Sequence, residues 1–151
     1  MVKRGPVNKV LAIAGSLLVW FPLLTPVIVS VIAYAADGIW RFDYLIPAEL
    51  FPAALLGSSL LLWAALRAHA RRRLIGAGIG IAAVSLFGGQ FIAVVTGLAS
   101  GEIEPGGWQL ALVLASIIVY VLALVCIGIG GILLLRDLFK SNTPTIHYAR
   151  V

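Results

Sequence analysis

Trp108 to Leu135 reads W-Q-L-A-L-V-L-A-S-I-I-V-Y-V-L-A-L-V-C-I-G-I-G-G-I-L-L-L, without a single Asp, Glu, Lys, Arg or His. A helix needs about 20 apolar residues to cross the ~30 Å hydrocarbon core of a bilayer, and this run exceeds that. In lipid a backbone must satisfy its own N–H and C=O groups, so the run predicts a membrane-spanning α-helix. The rest of the chain follows the same rule. Of its 151 residues 62% are hydrophobic and 11% charged, whereas a soluble domain is about a quarter charged. No single soluble core can bury this much apolar surface, so the bilayer is the solvent.

Three further apolar stretches lie upstream, at about 10–36, 45–66 and 74–99. With 108–135 they predict an all-α membrane protein, one four-span domain over residues 1–135 followed by a polar tail, 136–151. The fold expected is an antiparallel four-helix transmembrane bundle with short loops. The first stretch competes with a secretory signal, because Ala33, Tyr34, Ala35 and Ala36 resemble a cleavage site. Its length exceeds the 7–15 residues of a signal core, which favours retention. Pro22 and Pro26 each remove a helix donor and predict a bend or loosening around Trp20 to Thr25. In the second stretch, a helix beginning at Pro52 would be short of the hydrocarbon core, so a start near Leu45 is expected, with Pro47 in the first turn. In the third, Gly76 with Gly80, and Gly97 with Gly101, form GxxxG pairs that predict close helix packing. The glycine run there lacks the spacing and the Lys-Ser/Thr of a phosphate loop.

Charge fixes the expected orientation. Lys3, Arg4, Lys9, Arg67, Arg71, Arg72, Arg73, Arg136, Lys140 and Arg150 all fall on one side of the predicted spans, and only Arg41 on the other. Cytoplasmic loops carry the excess of Lys and Arg, so both termini are expected in the cytoplasm. The net charge of +5 is then a topology signal and does not point to nucleic acid. Arg in excess of Lys, with abundant Ala, Gly, Leu and Val, points to the cell membrane of a prokaryote. Anionic lipid is the expected contact of Arg67, Arg71, Arg72 and Arg73.

Candidate functional residues are few. The opposite side gathers Arg41, Asp43 and Glu49 in one loop, and Glu102 and Glu104 in the other. These acids could hold a cation, a lipid headgroup or a partner, although Glu49 also suits a helix N-terminus. Thr25, Gln90 and Tyr120 fall at similar depth in three spans and could meet as a buried polar layer, as interhelical glue or as a small-ligand site. No Asp, Glu, Lys, Arg or His sits mid-span, as pumps and proton relays require. His69 and His147 lack metal-ligand spacing, Cys126 has no partner for a disulfide, and no catalytic motif or cofactor signature is present. The sequence therefore favours a non-enzymatic subunit, scaffold or partner-binding module, as a homo-oligomer or with another membrane protein. A small-solute transporter or channel component comes second, and a membrane enzyme or sensor using the outer acids third.

Overall fold

The computed structural model describes residues 5–38, 50–101 and 107–140, the side chain of Asp37 apart. They form four helices: α1 (Pro6–Asp37), α2 (Phe51–Ala68), α3 (Arg72–Val95) and α4 (Gly107–Phe139). Each is long and apolar enough to cross a membrane, with mean hydropathy of 2.2, 1.4, 1.9 and 3.1 in chain order. Large apolar side chains cover the outside, among them Leu17, Val84, Phe91 and Ile118, as expected where lipid replaces water around a bundle.

The helix ends depart from the sequence expectation in both directions. α4 runs on past Leu135 to Phe139, and α3 begins at Arg72 rather than Leu74. Charged residues end a membrane span but do not end a helix, because Arg and Asp are tolerated in its exposed last turn. α3 closes at Val95, and Gly97 and Gly101 take positive φ in the turn beyond it. That pair therefore does not form a packing face. α2 is described from Phe51, with Pro52 in its first turn, where the missing N–H has no helical acceptor to disappoint; the start expected near Leu45 lies outside the described residues. α1 is one uninterrupted helix with Pro22 and Pro26 inside it. Pro6 occupies its first turn, and Gly38 closes it in the left-handed conformation with its N–H donating to Tyr34 O at 2.9 Å.

α1 packs chiefly on α2, and α3 on α4; α1 and α4 form a third seam, while α2 and α3 touch least among chain neighbours. The core is made of small and branched residues: Ala12, Val19, Ala64, Ala65, Ile75 and Ile127 are among those buried. Glycines let the backbones close. A Cβ on Gly15 would fall 2.9 Å from the Gly57 carbonyl oxygen, and one on Gly57 would fall 2.8 Å from Val19 N. Ile127 seats over Gly78, Ser116 over Gly89, and Leu74 and Ile75 over Gly130. On the third seam the Trp20 indole lies on Gly128 and Ser16 Oγ on Gly131. The Gly76–Gly80 pair behaves differently from its expected role. Gly76 meets only Leu62 at 3.9 Å, and around Gly80 there is open space. Within the chain, the glycines that bring helices together are those that face a neighbouring helix's backbone or a seated side chain.

This ordering predicts two opposite outcomes. Gly57→Ala places a methyl against backbone that has no room to yield, and should cost about 1–3 kcal/mol. Gly80→Ala meets nothing and should leave stability unchanged or slightly raised. Thermal unfolding of both variants in the same detergent would check this, and equal destabilisation would contradict the packing described.

Candidate functional site

A cavity of about 330 Å³ lies in the half of the bundle away from the Arg67–Arg73 loop. All four helices wall it. α1 contributes Pro22 and Pro26, α2 its first residue Phe51, α3 Gln90, and α4 Ser116 and Tyr120. Most of the wall is apolar, and among the described residues no Asp, Glu, Lys, Arg or His lines it. A second, smaller cavity of about 80 Å³ lies between α2 and α3 and shares Phe51, Leu86, Tyr120 and Leu124 with the first. Tyr120 thus stands on both walls.

The local sequence explains why the space is there. Pro22 and Pro26 are one turn apart and so share a helix face. Their rings carry no N–H, and Pro26 leaves the Pro22 carbonyl without its helical donor. Both prolines line the cavity, so the carbonyl left without a helical donor belongs to a lining residue. On α4, Ser116 and Tyr120 are again one turn apart. On α3, Ser85 and Gly89 are one turn apart and Gln90 follows. Gly89 gives up side-chain volume where Ser116 packs.

The polar inventory is distinctive. The Ser116 hydroxyl donates to Val113 O at 2.7 Å. Thr25 Oγ1 donates to Phe21 O at 2.7 Å, back-bonding that satisfies a hydroxyl within its own helix. Neither hydroxyl serves the Pro22 carbonyl. Among the described residues, Ser85, Gln90 and Tyr120 make no side-chain hydrogen bond with protein groups. In an apolar wall such groups are costly to leave unsatisfied.

The expected polar layer is therefore placed in two parts. Gln90 and Tyr120 line one cavity, whereas Thr25 is absent from its lining and is turned to its own backbone. Ser85 and Ser116 were not anticipated; the four-residue spacing of Ser116 from Tyr120 was the available signal. Gln90 lies ~27 Å along α3 from Arg72 at ~1.5 Å per residue. Arg41, Asp43, Glu49, Glu102 and Glu104 lie outside the described residues, as does His147. Among the described residues no three His, Cys, Asp or Glu side chains gather as a metal site.

The opposite end of the bundle is basic. Arg71 Nε donates to Asp137 Oδ2 at 3.0 Å, tying the α2–α3 loop to the last turns of α4. Lys9 Nζ lies 4.8 Å from the Phe139 ring centroid, tying α1 to the same end. Arg67, Arg72 and Arg73 are exposed. α2 ends with Ala70 N–H donating to Ala65 O at 3.2 Å and His69 N–H to Leu66 O at 3.3 Å. This is a Schellman closure with histidine at the left-handed position, φ 55°, where glycine is usual. Comparison with known proteins places no relative beside these features: no family model, curated protein or solved structure matches the chain.

The loop geometry predicts that His69→Gly relieves a left-handed penalty and stabilises the bundle by about 1 kcal/mol. His69→Val, whose branched side chain resists positive φ, should destabilise it. Chemical denaturation of the two variants beside the parent would check the sign of each.

Proposed function

We propose that the chain is a four-span protein of the prokaryotic cell membrane, alternating in direction, with both termini cytoplasmic, and that it works as a non-enzymatic binding module. The direction of the helices is supported by the order of their contacts. Along α3 and α4 the partners pair Leu74 and Ile75 with Gly130, Gly78 with Ile127, and Gly89 with Ser116, so one helix ascends as the other descends. Gly15 against Leu61 and Gly57 against Val19 give the same sense for α1 and α2, and Ser16 with Gly131 and Trp20 with Gly128 for α1 and α4. These pairings gather Lys9, the Arg67–Arg73 loop and Asp137 at one end. The positive-inside rule makes that end cytoplasmic.

The observation that carries the binding reading is the neutral cavity walled by all four helices. At about 330 Å³ it is at the small end of the ~300–1,000 Å³ usual for ligand sites. Its apolar wall with a few unsatisfied polar groups is the pattern of a small-molecule site. Acid–base catalysis needs a proton carrier tuned near neutral pH, and among the described residues the lining offers no carboxylate, imidazole or amine. The ligand enters from the bilayer, which already concentrates apolar molecules.

Two experiments bear on this. In a Cys126→Ala background, a membrane-impermeant thiol reagent should reach Ser100→Cys only from outside intact cells and His69→Cys only after the inner face is exposed. The reverse pattern would invert the topology. For binding, native mass spectrometry of the protein in mild detergent should show a retained small molecule. Leu86→Trp, which fills the space shared by the two cavities, should remove it while the helix content stays constant. Retention of the same molecule by Leu86→Trp would place binding elsewhere.

A further inference from the structure

Resting on the binding reading, we infer that the cavity takes a lipid alcohol: an uncharged amphiphile whose hydroxyl sits between Pro22, Gln90 and Tyr120 while its chain passes Tyr120 toward the α2–α3 crevice. Among the described residues the lining has no Asp, Glu, Lys, Arg or His, and an ion without such a partner in an apolar bundle is strongly disfavoured. A neutral, hydrogen-bonding head is the one these residues fit.

The donors and acceptors on the wall narrow the head further. Gln90 Nε2 and Tyr120 Oη can donate, and neither is engaged within the protein. A carbonyl would satisfy them as an acceptor. The Pro22 carbonyl asks for the reverse. Pro26 cannot donate to it, and the one nearby hydroxyl, on Thr25, is committed to Phe21 O. No side chain among the described residues donates to it. A site that presents both a free acceptor and free donors is matched by a group that is donor and acceptor at once. A hydroxyl is the smallest such group. It donates to Pro22 O and accepts from Tyr120 Oη–H or Gln90 Nε2–H.

The shape of the space gives the chain its route. The second cavity continues from Tyr120 between Ala54 and Leu55 of α2 and Ala83 and Phe87 of α3. Leu55 and Phe87 are exposed on the outside of the bundle. α2 and α3 are also the least packed neighbouring pair, so an alkyl chain can leave there with the fewest contacts to displace. On this route the Ser59 hydroxyl donates to Leu55 O at 2.8 Å, and the Ser58 hydroxyl is the other polar group of an otherwise largely apolar lining.

The test uses the full-length protein in detergent micelles with a diazirine-bearing long-chain alcohol as photoprobe. Unlabelled dodecanol, 2-dodecanone, dodecane and dodecanoate serve as competitors. Dodecanol should compete at about tenfold lower concentration than dodecane or dodecanoate, the effect of about one well-placed hydrogen bond. It should also outcompete 2-dodecanone, which cannot donate to Pro22 O. Pro26→Ala restores the missing N–H and occupies that carbonyl, so the alcohol's advantage over the ketone should fall toward one. Tyr120→Phe and Gln90→Leu should weaken alcohol and ketone together. If the ketone equals the alcohol in the parent protein, or the advantage survives Pro26→Ala, the hydroxyl inference is overturned while the cavity reading stands. If labelling is indifferent to Leu86→Trp, the cavity is not the site and both readings fall.

Discussion

Backbone-to-backbone closeness at glycine is the interaction on which this bundle depends. Lipid tails are as apolar as leucine, so burying apolar side chains between helices gains little over leaving them in the bilayer. What remains is dispersion, summed over many atoms and steep in distance. Gly15 and Gly57 bring α1 and α2 to where neither could carry a Cβ. Elsewhere the bundle uses knob and notch: Ile127 into Gly78, Leu74 and Ile75 onto Gly130, Trp20 onto Gly128. The cavity opens in the same bundle around Pro22 and Pro26, where rings replace smooth helix surface.

Much of the architecture was legible in the sequence because the rules governing it are local. Four long apolar runs separated by charged or proline-rich breaks give four helices, and the described helices follow them. What was not legible depends on which face meets which partner. Spacing of four residues identifies Gly76 and Gly80 as sharing a face, but nothing local says that the face looks outward. Gly78, two residues from each, is the one that receives Ile127. The helix ends were missed for a related reason. Charge marks where a span must stop, whereas the helix continues while its backbone bonds are satisfied, so Arg136 and Asp137 remain in α4.

The candidate site was half legible. Gln90 and Tyr120 stand out as polar residues in apolar helices, and depth along the helix brings them together. Thr25 has the same depth and a similar polarity, yet its short side chain reaches Phe21 O. A β-branched hydroxyl can fold back on its helix, while the longer Gln and Tyr side chains reach outward. The prolines were visible as helix breakers, but α1 runs through them unbroken. Their consequence is chemical: a carbonyl without its donor, in a wall that otherwise offers donors.

The uneven seams between the helices also have a kinetic meaning. α1 with α2, and α3 with α4, are closely packed pairs joined along α1 and α4, and among chain neighbours α2 and α3 meet least. The molecule is therefore two leaves with a spine on one side and a loose margin on the other, fastened at one end by Arg71 and Asp137. Between chain neighbours, parting α2 from α3 is the opening that breaks the fewest contacts, so on the proposed reading a molecule held behind Tyr120 exchanges through the margin that Leu55 and Phe87 line.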